Sequence, residues 1–145
     1  MRDLGRRRDL LIVVMLAALA LLFFWPVTAG GKTLLPADSA FQWQPWRAYA
    51  ADEGVVVPYN DLLNDLYLEN LVWKRFIVGS IQQRQIPLWN PYILSGVPFL
   101  AAGQHSAMYP FSALFYVLPL PAAYGWFAAL HIFLAGLNTY LLART

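Results

Sequence analysis

Asp61, Asp65 and Glu69 stand at i, i+4 and i+8, a spacing that puts three carboxylates in one column if the segment is helical. Acids so arranged repel one another unless they are solvated, paired with Lys or Arg, or bound to a cation. The column therefore reads either as a solvated helix face or as a carboxylate site. In the second case one acid acts as general base, or orients a metal ion or a sugar hydroxyl. Asp38 is a further acid candidate. His105 lies in the run AGQHSAMYP, and no HxxxH or HxH partner accompanies it, so metal ligation through histidine has little support. Trp89, Tyr92 and Tyr109 could stack on a sugar face, although aromatics in such a chain also serve as membrane-interface anchors. The chain has no phosphate-binding glycine loop, dinucleotide fingerprint, nucleophile elbow or HExxH pair.

Composition narrows the setting. Of 145 residues 59% are hydrophobic, 16% aromatic and 12% charged, about half the charged fraction of an average soluble domain. The net charge is only +2, and the basic residues are clustered at the N-terminus or scattered, so nothing points to nucleic acid. The absence of cysteine removes disulfides and thiolate metal sites. These features predict an all-α membrane protein. Two transmembrane helices are joined by a long extracytoplasmic loop that holds an amphipathic helix and a Pro-rich ordered segment.

In chain order, residues 1–9 form a basic cytoplasmic start containing Arg2, Arg6, Arg7 and Arg8. Leu10 to Gly31 is free of charge and reads as the first span, with Phe23, Phe24 and Trp25 towards its far end and Pro26 closing the helix. The arginines orient the N-terminus to the cytoplasm. A cleaved signal peptide is the competing reading, weakened by the length of the apolar run and by the bulky residues before Val27-Thr28-Ala29. Residues 32–109 then form the outer loop, and Asp38, seven residues beyond Gly31, stays near the membrane plane. Asn60 is placed to cap a helix over about 61–83, with Leu62, Leu66, Trp73, Phe76, Ile77 and Ser80 on its apolar side and Lys74, Arg75 and Arg84 at its wetter end.

The stretch Gln85 to Pro110 contains no charged residue but holds Pro87, Pro91, Gly96, Pro98, Gly103 and Pro110. That density predicts an extended segment with fixed turns and neither helix nor strand. Residues 110–121 suit an interfacial half-helix, Ala122 to Ala143 forms the second span, and residues 144–145 return to the cytoplasm. His131 lies in mid-span, where polar side chains usually face protein; a bond to a neighbouring helix, together with Asn138, is the expected use. Gly136 allows close helix approach without a convincing small-xxx-small partner.

The runs Asn60-Asp61-Leu62-Leu63-Asn64-Asp65, Trp73-Lys74-Arg75-Phe76, Gln85-Ile86-Pro87-Leu88-Trp89-Asn90-Pro91-Tyr92, Ser95-Gly96-Val97-Pro98 and Gly103-Gln104 to Tyr109-Pro110 together resemble the YfhO-like family. These are bacterial polytopic membrane proteins related to the GT-C glycosyltransferases. The run His131 to Arg144 is similar to that family's second span. The resemblance implies a plasma-membrane, multi-pass enzyme that moves a sugar from a polyprenyl-phosphate donor to a cell-surface polymer or glycolipid, on the outer face. It implies a catalytic acid in the first outer loop, Asp65 first and Asp38 or Asp61 as alternatives, acting as general base with inversion at the anomeric carbon. Lys74 or Arg75 would meet the donor phosphate. Trp89, Asn90, Tyr92, Gln104 and His105 would line the substrate cleft. No cofactor is certain, and a divalent cation is the one candidate. Family members are several times longer, so the chain is expected to be an N-terminal piece, inactive alone. A non-catalytic two-span scaffold and a transporter fragment are the alternatives.

Overall fold

A computed structural model describes residues 2–56 and 60–144. The chain is mostly helical and divides into two compact units, one made of the residues up to Leu34 with those from Pro121 onward, the other of Leu35–Leu120.

In the terminal unit, α1 (Arg2–Phe23) is followed after one residue by the single turn α2 (Trp25–Thr28), and α6 (Leu120–Arg144) returns. Pro26 lies in the first turn of α2. Without an N–H it cannot continue the α1 ladder, but its fixed φ suits a helix start. The break falls inside the expected first span, at the Pro26 expected to close the helix. The charge-free part of α1 is Leu10–Phe23, 14 residues, fewer than the roughly 20 needed to cross a hydrocarbon core. Among the described residues α6 alone is long and apolar enough to cross, with 25 residues.

The helices of this unit run antiparallel. A Cβ added to Gly125 would fall 2.8 Å from Val27 Cβ, and one added to Gly136 would fall 3.3 Å from Leu16 Cδ2. Further along, Tyr140 Oη donates to Asp9 Oδ1 at 2.6 Å and Arg144 pairs with Asp9 Oδ2 at 2.8 Å. The closest approach is thus at Gly125, with Ala129 buried one turn later. This small-xxx-small pair lies eleven residues before Gly136, where the sequence had suggested close approach. At the other end Thr33 Oγ1 donates to the Pro121 carbonyl at 2.7 Å. The outer faces carry large exposed apolar side chains, including Leu11, Leu22, Phe23, Ile132 and Leu142.

In the central unit two 3-10 segments (Ala37–Gln42 and Trp46–Tyr49) precede the main helical run. That run opens as a 3-10 turn (Asp61–Leu63), with Asn60 Oδ1 accepting the Leu62 N–H at 3.0 Å. It widens to a π-helix (Leu66–Asn70) and continues as α3 (Leu71–Gln82). A π turn closes i to i+5 where an α turn closes i to i+4, so it shifts the phase of everything that follows by about one residue. Leu71, Lys74 and Ile77 therefore face inward, while Leu62, expected on the apolar face, is 91% exposed.

The Pro-rich stretch is also more regular than its composition suggests. β1 (Trp89–Asn90) and β2 (Val97–Pro98) pair antiparallel, Trp89 opposite Pro98 and Asn90 opposite Val97, and the one-turn α4 (Phe99–Ala102) follows. Proline is tolerated here because both strands of a two-stranded ladder are edges, where a missing donor leaves no gap. Residues Pro110–Ala113 (3-10) and α5 (Leu114–Val117) take the place of the expected interfacial half-helix, and Phe115 belongs to the buried core.

The hairpin turn passes through Leu94, Ser95 and Gly96, all at positive φ, with Gly96 at +111°. A Cβ on Gly96 would lie 2.6 Å from Trp89 Nε1, so an added methyl group must displace the indole. Gly96→Ala is expected to destabilise the full chain in detergent by about 2 kcal/mol, the scale of one strained backbone position. A lower urea midpoint together with a changed Trp emission maximum would check it.

Candidate functional site

The candidate residues fall into three places in the central unit. The first surrounds the π turn. Asp65, Glu69, Asn70 and Trp73 from the helical run and Gln104 from the loop after α4 line one recess of about 160 Å³. The wide turn, closed by a bond from the Leu71 N–H to the Leu66 carbonyl, presents Asp65 and Glu69 beside the same opening. Both are exposed. Asp61 starts the run, and its side chain lies outside what the structure describes. Asp38 stands in the separate 3-10 segment Ala37–Gln42. Of the carboxylate column of the sequence, Asp65 and Glu69 line this recess, together with two amides and an indole. Among the described residues no three His, Asp or Glu side chains gather as metal ligands.

The second place is an open cleft of about 530 Å³ lined by Arg75, Ser80, Gln83, Gln85, Trp89 and Tyr92, among others. Arg75, Trp89 and Tyr92 do come together here. Asn90 does not join them, because it is buried and its Oδ1 accepts the Tyr92 N–H at 2.9 Å, which shapes the turn.

The third is the interior. Lys74 is 1% exposed, which corrects its placement at the wet end of the helix; the phase shift of the π turn carries it inside. Its Nζ donates to the His105 carbonyl at 2.8 Å and to Ser106 Oγ at 2.9 Å, and it lies 4.5 Å from the centre of the Phe115 ring, within cation–π range. Burial without a carboxylate partner holds its pKa down to about 8. His105 is buried as well. Its Nδ1 accepts the Ala107 N–H at 3.0 Å, so Nε2 carries the proton and donates to the Phe99 carbonyl at 2.7 Å. Both ring nitrogens are spent on backbone, and the ring stacks on Phe99 with centroids 4.1 Å apart. His105 and Lys74 therefore support the site and do not line it. The same loop is held by Ser106 Oγ against Ser112 Oγ at 3.3 Å and by Tyr116 Oη donating to the Ala107 carbonyl at 2.7 Å; burial raises the Tyr116 pKa.

Lys74 thereby joins the helix carrying Asp65, Glu69, Asn70 and Trp73 to the loop carrying Gln104. Asn70, Trp73, Ser106 and Ser112 were not singled out for a site from sequence; the π turn, which no local residue pattern announces, sets Asn70 and Trp73 beside the recess. In the terminal unit, His131 Nδ1 donates to the Phe127 carbonyl of its own helix at 2.7 Å.

Lys74→Ala removes two donors from buried acceptors and opens a cavity, so a loss of about 3 kcal/mol in unfolding free energy is expected. With its folded pKa near 8 and its ordinary value at 10.5, Lys74 binds fewer protons folded than unfolded between those limits. Stability should therefore rise as pH goes from 8 to 10.5. Urea midpoints of the full chain in detergent across that range check this, read as the difference between wild type and Lys74→Met, in which the rise should be absent.

No protein-family model, curated protein or solved structure matches the chain.

Proposed function

We propose that the chain is a bilayer-anchored part of a glycosyltransferase that moves sugar from a polyprenyl-phosphate donor to a hydroxyl of a cell-surface polymer or glycolipid. The observation that carries the chemistry is the recess at the π turn. It offers carboxylates for a hydroxyl proton, amides for hydroxyl hydrogen bonds and an indole for a sugar face, and π turns are frequent at functional sites. In this reading Asp65 takes the proton of the acceptor hydroxyl as its oxygen bonds the anomeric carbon. The bond from that carbon to the phosphate oxygen breaks on the opposite side, so configuration inverts and the polyprenyl phosphate leaves with the electron pair. Arg75, in the neighbouring open cleft with Trp89 and Tyr92, is the side chain suited to the phosphate charge.

The anchor is the antiparallel pair formed by α1 with α2 and by α6. From Asp9 to Val27 and from Gly125 to Arg144 the helices rise roughly 27 and 28 Å at 1.5 Å per residue, close to the thickness of a hydrocarbon core. Exposed apolar side chains cover the stretch between. With the Pro26 break bridged in this way, both helices cross. Arg7, Arg8 and Arg144 mark the cytoplasmic end, and residues 32–109 lie outside. A second reading, a scaffold that binds a partner without catalysis, is favoured by the apolar hairpin turn, where Tyr92 is 82% and Leu94 88% exposed.

In membranes containing the intact enzyme, Asp65→Asn is expected to lower transfer from labelled polyprenyl-phosphate sugar at least about 100-fold, with Asp38→Asn within about threefold. Full activity of Asp65→Asn would remove the catalytic reading and leave the scaffold. For topology, the cysteine-free chain permits single probes. Glu53→Cys should react with an impermeant maleimide on intact cells, and Arg7→Cys only after permeabilisation.

A further inference from the structure

Where α1 and α6 meet at the Asp9 end, Arg8, Asp9, Tyr140, Ala143 and Arg144 line an open pocket of about 420 Å³. Both oxygens of Asp9 are engaged, one by Tyr140 Oη and the other by Arg144 Nη1. Arg144 carries five N–H donors, and this ion pair uses a single guanidinium nitrogen. The Arg8 guanidinium adds a second positive charge to the same pocket. Among the described residues two cations face one carboxylate here, a positive balance suited to a phosphate ester.

The next feature along the helices decides what kind of phosphate. A groove of about 570 Å³, lined by Leu16, Leu19, Phe23, Ile132 and Gly136 among others, runs between α1 and α6 with almost entirely apolar walls. Asp9, Leu16 and Phe23 follow one another at intervals of seven on α1, and Ile132, Gly136 and Tyr140 at intervals of four on α6, so pocket and groove lie along one stripe of each helix. Asp9 to Leu16 is a rise of roughly 10 Å. At Gly136, which lines the groove, an added Cβ would fall 3.3 Å from Leu16 Cδ2 of the facing helix.

We infer that this end of the helix pair binds one anionic phospholipid, its headgroup phosphate held by Arg8 and Arg144 and an acyl chain lying in the groove below. A soluble phosphate would use the pocket and leave the groove empty. The inference rests on the bilayer placement proposed above and is independent of the sugar chemistry.

The test uses the full chain in detergent, delipidated and offered phosphatidylglycerol and phosphatidylcholine in equal amounts, with retained lipid read by native mass spectrometry. Phosphatidylglycerol should be retained in preference, and Arg8→Gln should lower its retention about fivefold, the effect of one basic residue at an anionic membrane surface. Arg7→Gln makes the same charge change outside the pocket lining and should leave retention unaltered. Ile132→Trp, which fills the groove without touching the headgroup pocket, should lower it too. Arg8→Gln spares the Asp9–Arg144 pair, so helix packing is retained, and circular dichroism verifies this. Equal retention of the two lipids, equal losses for Arg7→Gln and Arg8→Gln, or displacement by excess inorganic phosphate would each overturn the inference. Release of the chain from native membranes by alkaline carbonate would instead mark failure of the bilayer placement.

Discussion

The bond from the Lys74 ammonium to the His105 carbonyl organises the central unit. A buried cation needs acceptors, and the molecule supplies a carbonyl, a hydroxyl and an aromatic face where a carboxylate would be the stronger partner. To bring them together, the loop after α4 must turn back onto α3, and the rest of that loop is arranged to keep it there. His105 commits both ring nitrogens to backbone, Ser106 leans on Ser112, and Tyr116 reaches across to Ala107. The chain of rings from Tyr92 through Phe76 and Phe99 to His105 ties the hairpin to the same centre. Removing the cation would leave buried acceptors facing one another across a gap. That is why an unpaired lysine is tolerated at a position otherwise suited to leucine.

This centre also explains the division of roles among polar residues that look alike in the sequence. Lys74 and Arg75 are neighbours, yet one is interior and the other lines an open cleft. Asn90 and Tyr92 are two residues apart, and one shapes the turn that displays the other. Side chains with few ways to be satisfied in the interior are held by backbone, and their exposed neighbours are left free to meet a ligand. The recess at the π turn is of the second kind. Its walls come from two segments whose mutual position is set by the bonds beneath it.

The helical character was legible because it rests on long-range periodicity and composition: α6 is apolar for most of its length, and Asn60 has the short polar side chain that helix starts use. What was not legible depended on phase and on pairing. A single π turn at Leu66–Asn70 moved Lys74 inward relative to the turn before it, and nothing in LYLEN distinguishes π from α winding. The prolines of the 85–110 stretch argued against regular structure, but a two-residue ladder needs too few donors to be blocked by Pro98. The 14-residue limit of the charge-free part of α1 follows from where Pro26 interrupts the ladder. Of the candidate residues, Asp65 with Gln104 and Arg75 with Trp89 and Tyr92 came together, while His105 and Lys74 are buried and bonded to the loop after α4. Sequence spacing places residues along one element; it carries no information on which carbonyl a distant lysine will find.

The hydrogen bond from Thr33 to the Pro121 carbonyl has a consequence for the order of assembly. It joins the two ends of the terminal unit at the points where the central unit begins and stops. The 86 residues from Leu35 to Leu120 therefore form a loop that the helix pair has already closed, and closure of a loop that long costs about 4 kcal/mol of chain entropy when it is not provided in advance. Once the helices have paired, the central unit collapses as a circularised segment with a smaller unfolded ensemble. The same pinch makes it an exchangeable insert, because a few residues joining Thr33 to Pro121 would leave the helical hairpin intact.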